Sequence, residues 1–201
     1  MSGRFIVLEG GDGAGKSTQR ELLMRWLRDD GVEVVLTHEP GATALGAALR
    51  SLLLDGDAID ARAEALLMAA DRAQHVAEVV RPALERGAWV VSDRHVPSSL
   101  VYQGVLRGLG VDAVAGLSEF ATDGLVPDLV ILLDVDDATA ESRRSPEADR
   151  MEREGDAFHA AVRGAYRDLA ARFGWVMVDA SGAPEAVGAR VQNAVRSFRS
   201  G

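Results

Sequence analysis

The sequence predicts a three-layer α/β/α fold around a five-stranded parallel sheet. Three observations carry that prediction. Short continuous apolar runs alternate along the chain with segments of helical spacing, the pattern of strands buried on both faces and joined by crossover helices. The first run ends on a glycine-rich loop that opens a helix. No linker, repeat or low-complexity stretch divides the 201 residues, so one domain over 1–201 is expected.

The elements follow in order. Arg4 to Glu9 (RFIVLE) reads as a buried strand, and Ser17 to Asp29 as a helix, with Leu22, Leu23, Trp26 and Leu27 at helical spacing. Gly31 sits where a helix C-cap is common. Val32 to Thr37 is the second strand, closed by the turn residues His38-Glu39-Pro40-Gly41. Ala44 to Leu54 and the long Ala61 to Leu84 read as helices, the latter ended or kinked by Pro82. Ala88 to Ser92 is the third strand, Ser98 to Leu106 and Val111 to Ala121 are helical, and Asp128 to Asp134 is the fourth strand. A short helix spans about Ala138 to Arg143. The charged stretch Ser145 to Glu154, poor in apolar residues, reads as mobile. Asp156 to Phe173 is a helix, Trp175 to Asp179 the last strand, and Pro184 to Phe198 a closing helix with Pro in its first turn.

Composition narrows the function. A net charge of -9 disfavours a general grip on nucleic-acid phosphates. Apolar content of 47% with 26% charged residues is ordinary for a soluble globular chain. No apolar run approaches the roughly 20 residues that span a bilayer, and the first strand begins almost at once, without a signal segment. A cytoplasmic protein that binds neither membrane nor nucleic acid is expected. No cysteine is present, which excludes disulfides and thiolate metal sites. The four histidines, His38, His75, His95 and His159, are scattered and suggest no metal cluster.

The only lysine, Lys16, lies in Gly10-Gly11-Asp12-Gly13-Ala14-Gly15-Lys16-Ser17, which satisfies the Walker A pattern G-x-x-x-x-G-K-[ST] and points to a P-loop NTPase fold. Every other long basic side chain is Arg. A compact ammonium fits between β- and γ-phosphate oxygens where a broad guanidinium does not. Backbone N–H groups of this loop would cradle the phosphates of ATP at a helix N-terminus, with Thr18 completing the donor site. The Ser17 hydroxyl would ligate Mg²⁺. Asp93-Arg94 follows the third apolar run, at the end of a sheet where ligands collect. Asp93 is positioned to act on Mg²⁺ and Arg94 to grip a phosphate bidentately; an Asp helix cap beside a surface Arg is the structural alternative.

A resemblance then emerges. VSDRHVPSSLVYQG (91–104), HEPGAT (38–43), AADRAQHV (69–76), LVPDLVILLDV (125–135) and ADRMERE (148–154) together resemble the bacterial thymidylate kinases, essentially end to end. The resemblance implies transfer of the γ-phosphoryl group of ATP to thymidine 5′-monophosphate (dTMP), giving dTDP on the route to dTTP, by a homodimer. It also implies site roles. Asp12 would reach the sugar 3′-hydroxyl, Glu39 and Pro40 would border the acceptor pocket, Arg72 would point at thymine, and Arg94 would hold the monophosphate. Ser99, Tyr102 and Gln103 would read the base edge and sugar.

Two positions depart from the family pattern. Met68 stands where many members carry a Phe that stacks on thymine; a thioether packs on an aromatic ring with looser geometry, and Met68 serves equally as core. The phosphate loop lacks the arginine of one family branch, as Asp12-Gly13-Ala14 shows. The other branch supplies catalytic arginines from a lid, which the resemblance puts at about 143–154; here Arg143 and Arg144, with Arg150 and Arg153 downstream, would reach the transferring phosphoryl group. The motifs taken singly leave two other readings open: another P-loop nucleotide or nucleoside kinase, or a nucleotide-sensing module without turnover.

Overall fold

The computed structural model describes residues 3–55, 57–143 and 155–200. Its five strands are β1 (Phe5–Glu9), β2 (Val34–His38), β3 (Trp89–Asp93), β4 (Leu129–Asp134) and β5 (Val176–Asp179). All pair in parallel, in the order β2-β3-β1-β4-β5. The expected sheet is present, with most strand boundaries moved by one or two residues toward the C-terminus. Nine α-helices occur among the described residues: α1 (Lys16–Asp29), α2 (Ala44–Leu54), α3 (Ala61–His75), α4 (Arg81–Glu85), α5 (Val96–Ser99), α6 (Val111–Thr122), α7 (Asp137–Arg143), α8 (Asp156–Phe173) and α9 (Pro184–Ser200).

Strand alternation explains the three layers. On β1, Ile6 and Leu8 join a cluster with Leu23 and Leu27 of α1 and Val187, Val191 and Val195 of α9. Phe5 and Val7 point the other way, toward Val80, Ala83 and Val90. A third cluster packs Leu53, Val101, Leu132, Val162 and Tyr166 beneath α2 and α8. Because both faces of β1 are covered, its residues are all buried, which is why the run reads as continuously apolar.

Pro82 does not end the long helix. A π-helical turn over Val76–Val80 joins α3 to α4, and Arg81 N–H donates to Val76 O, five residues back. That extra residue places Pro82 in the first turn of α4, where its missing N–H is tolerated. A second π stretch, Leu100–Leu106, continues α5, so this helical segment begins two residues earlier than the sequence suggests.

Topology creates the crevice. The first connection from β1 leads to β2, beyond β3 on one side, while β4 and β5 lie on the other. The sheet therefore diverges at the C-terminal end of β1, where ligands bind in open α/β sheets. Leu8 stands opposite Asp93 in register, which sets the glycine loop beside the end of β3.

Candidate active site

The loop from Gly10 to Gly15 leads into α1 with backbone angles a side chain would oppose. Gly13 has φ +80°, and a Cβ there would lie 2.3 Å from Ala140 O. Gly10 has φ +146°, and its Cβ would lie 2.7 Å from Leu133 O. The loop is thus wedged between the end of β4 and α7. Lys16 folds back over it, donating from Nζ to Gly10 O at 2.9 Å and Gly11 O at 3.0 Å. Burial and the nearby Arg94 charge lower the Lys16 pKa, so this ammonium gains from any anion brought alongside it.

Arg94 stands at the end of β3 with φ 69°, left-handed for a residue with a side chain. The bend is held by Arg94 N–H donating to Leu8 O at 3.0 Å and by Ser92 Oγ–H donating to Arg94 O at 2.8 Å. It turns the guanidinium over the loop. Nη2 donates to Asp12 Oδ1 at 2.7 Å, and Nη1 to Gly10 O, Ser98 Oγ and Tyr166 Oη at 3.2, 3.2 and 3.0 Å. The guanidinium also lies 5.5 Å from the Tyr102 ring centroid, a cation–π distance. Burial works against ionisation of Asp12, but the charges of Arg94 and Lys16 outweigh it and hold its pKa below the usual value.

Glu9 supports this corner from beneath. Its buried carboxylate accepts from His95 N (2.9 Å), Ser98 N (3.2 Å), Ser98 Oγ (2.7 Å) and Tyr166 Oη (2.9 Å). Burial nevertheless dominates and raises its pKa. Burial raises the Tyr102 and Tyr166 phenols as well, so both remain protonated donors at neutral pH.

Beyond Arg94 the crevice widens into a cleft of about 530 Å³, a size that suits a small molecule. It gathers Asp12, Lys16, Ser17, Glu39, Pro40, Met68, Arg72, Asp93, Arg94, Ser99, Tyr102 and Gln103, all singled out in the sequence. Glu39–Pro40 is a cis peptide bond. Ser17 Oγ donates to Asp93 Oδ2 at 3.2 Å. Arg72 is 3% exposed; its Nε donates to Glu39 Oε2 at 2.9 Å and its Nη2 to Ser99 Oγ at 2.9 Å. Gln103 Nε2 donates to the buried Glu64 at 2.8 Å. Met68 is half-buried and packs against the third apolar cluster while also lining the cleft, so the two readings of it coexist.

A second, smaller cleft of about 220 Å³ opens on the other side of the loop, lined by Ala14, Gly15, Thr18, Gln19, Arg143, Ala180, Gly182, Pro184 and Val187. Arg143 donates to Ala180 O and Gly182 O, both at 3.0 Å. It therefore faces this cleft and is bound to backbone there. Arg144, Arg150 and Arg153 lie outside the described residues.

Several cleft residues escape sequence reasoning. Arg20, His38, Arg50, His95 and Ser98 line the wide cleft, and Glu9, Tyr166, Ser118 and His75 stand behind it. A charged residue closing an otherwise apolar run was the one available signal for Glu9, whereas Tyr166 reads as ordinary helix core. Two of the four histidines scattered along the chain meet in space. His75 and His95 converge on Glu39, and these three form a compact buried group of potential ligand atoms.

Known proteins resemble this chain over nearly its whole length. The family model described as Thymidylate kinase matches residues 8–191. The chain is 54% identical over 198 residues to the thymidylate kinase of Leifsonia xyli subsp. xyli, covering 94% of this chain and 93% of that protein. It is 50% identical over 207 residues to that of Bifidobacterium longum, at 98% and 100% coverage. Against that of Halothermothrix orenii it is 46% identical over 202 residues, at 98% coverage of each.

Proposed function

The chain belongs to the thymidylate kinase family, and from that premise we propose that its wide cleft holds dTMP while the glycine loop presents ATP. The reaction transfers the γ-phosphoryl group of ATP to dTMP and yields dTDP. One observation carries the residue assignment: the Arg94–Asp12 bond of 2.7 Å joins the acceptor cleft to the donor loop, so the two substrates share a wall.

In this reading Lys16 and the loop N–H groups bind the donor phosphates, and Arg94 holds the acceptor phosphate. Asp12 takes the sugar, and Arg72, Ser99, Tyr102 and Gln103 select the base, with Glu39, Pro40 and Met68 framing it. Phosphoryl transfer needs positioning and charge neutralisation more than covalent catalysis. The acceptor phosphate, with a second pKa of about 6, is already largely ionised at neutral pH. A strong general base is therefore not needed. Arg143 is assigned to the nucleoside end of the donor site, on the strength of its bonds to Ala180 O and Gly182 O.

Ser17 and Asp93 fit Mg²⁺. A hydroxyl and a carboxylate, 3.2 Å apart beside the loop, are hard oxygen donors of the kind this ion takes together with substrate phosphates. When bound, Mg²⁺ would neutralise charge developing on those phosphates.

We further propose a single cytoplasmic domain assembled as a homodimer; of the lid expected at about 143–154, all but Arg143 lies outside the described residues. Among the described residues, no helix is long and apolar enough to cross a membrane. Leu66 on α3 and Phe120 on α6 are 59% and 86% exposed, and apolar side chains left open in this way favour association with a second copy. A mass measurement in solution tests the dimer. An acceptor panel with ATP and Mg²⁺ tests the reaction: dTMP is the preferred acceptor, and turnover confined to another nucleotide, or no turnover at all, overturns the reading.

A further inference from the structure

At the base end of the cleft, which His95 itself lines, two buried imidazoles converge on one carboxylate oxygen. Glu39 Oε1 accepts from His75 Nδ1 at 2.7 Å and from His95 Nδ1 at 2.8 Å, while Oε2 accepts from Arg72 Nε at 2.9 Å. All four side chains are buried. Arg72 then donates from Nη1 to Ser118 Oγ at 3.3 Å, and from Nη2 to His95 O at 3.3 Å and Ser99 Oγ at 2.9 Å. A guanidinium has five N–H donors. Four are engaged, and one on Nη1 has no protein partner among the described residues. Because Arg72 lines the cleft, that donor is available to an acceptor atom of the bound base, and its direction is set from the Nε end by Glu39.

The imidazoles are built to hold Glu39. His75 Nε2 meets Thr37 Oγ1 at 2.6 Å, which leaves Nδ1 for the carboxylate. His95 is more telling. Its ring is fully buried, edge-on to Phe5 with centroids 5.0 Å apart, and its Nε2 has no hydrogen-bond partner among the described residues. An unpartnered buried nitrogen is unfavourable, so the ring's contribution must come through Nδ1. Its bond to a carboxylate fixes the proton on that atom and leaves the lone pair on Nε2.

We propose that His75 and His95 are positioning residues for acceptor recognition: together they clamp Glu39, which in turn aims the Arg72 guanidinium at the substrate base. The inference rests on the reading of the wide cleft as the dTMP site. The same three residues could be taken for a cation site. The geometry favours the clamp, because both Nδ1 atoms point at the carboxylate as donors and the Arg72 guanidinium already balances its charge.

The test compares His75→Leu and His95→Leu with His75→Asn and His95→Asn, since an Asn amide nitrogen occupies nearly the position of Nδ1. Loss of one bond to a buried charge predicts a rise of about tenfold in KM for dTMP in each Leu variant, with KM for ATP and kcat nearly unchanged. Each Asn variant recovers most of the loss. Parallel rises in both KM values, or Asn variants as impaired as Leu, overturn the proposal. Should a Leu variant fail to fold, His75→Gln replaces it: its amide reaches Thr37 but not Glu39, and KM for dTMP again rises alone.

A second readout is independent of turnover. Solvent exchange of the Arg72 Nε–H, followed by NMR, is slow in the wild type and faster in His75→Gln; equal exchange in the two overturns the clamp. One equivalent of zinc in the purified protein also overturns it. A wild type inactive on dTMP but retaining the slow Nε–H would sink the function reading and leave the clamp standing.

Discussion

Arg94 and Asp12, 82 residues apart in the chain, are joined by a bond of 2.7 Å from guanidinium to carboxylate. The same guanidinium reaches Gly10 O, Ser98 and Tyr166, so one side chain ties the donor loop to β3 and α8. An ammonium cannot reproduce this fan of bonds, because its three donors radiate from a single atom. Arg94→Lys therefore lowers kcat/KM for dTMP by about 30-fold, corresponding to about 2 kcal/mol, the lower end for a broken hydrogen-bonded charge pair because this one is only partly buried, while KM for ATP changes little. Steady-state kinetics with each substrate varied in turn decide it.

Arg143 provides a sharper separation. An arginine acting on the transferring phosphoryl group would contribute about 10³ to 10⁵ in kcat. Bonded instead to Ala180 O and Gly182 O in the smaller cleft, it gives a different expectation. Arg143→Ala raises KM for ATP by about three- to tenfold, the worth of one or two hydrogen bonds, and leaves kcat within about threefold. A thousandfold fall in kcat would return Arg143 to the phosphoryl group.

Gly13→Ala tests the loop. The added Cβ would sit 2.3 Å from Ala140 O, a backbone atom, at a φ of +80°. Both effects act against the folded loop, so the substitution costs about 2–4 kcal/mol and raises KM for ATP. Thermal melting with and without ATP measures both. A variant as stable as the wild type would show that the wedge between loop and α7 is loose.

Acid stability follows from His95 and Glu39. Burial lowers the His95 pKa below 6.5, so the unfolded chain binds that proton more readily. The resulting stability is fully present above pH 6.5 and is lost as pH falls through the lowered folded value. The slope is at most about 1.4 kcal/mol per pH unit for one proton. Burial opposes ionisation of Glu39, yet the positive charge around it and two imidazole bonds hold its pKa well below 4.5. Its contribution is complete above pH 4.5 and disappears only under stronger acid. Melting temperature thus declines from about pH 6.5 downward in the wild type, and His95→Asn shows a shallower decline between pH 6.5 and 5. Identical slopes would remove His95 from the acid response.

How much of the site could be read in advance varied with how local its causes are. The glycine loop was fully legible, because its conformation depends on adjacent residues and its chemistry on one spacing. Asp93 and Arg94 were legible as the end of a strand, and Arg72 through a resemblance. Glu9, Tyr166 and the histidine clamp were not. Tyr166 meets Glu9 across 157 residues, and His95 and His75 reach Glu39 across 56 and 36; no periodicity records such meetings. The way the helix admits Pro82 was hidden for a similar reason, since the π turn that accommodates it shifts the hydrogen bonding of the preceding turn.

By itself, then, the sequence determined the strand-and-helix alternation, the donor loop and the family, all of which rest on short-range spacing and side-chain type. Tertiary structure alone decided which carboxylate holds which cation: that Arg94 binds Asp12, that Arg72 binds Glu39, and that Arg143 turns toward the smaller cleft. The physical reason is that hydrogen bonds to buried charges are directional and short. Their partners are selected by where the parallel sheet brings strand ends together, a property of the whole chain.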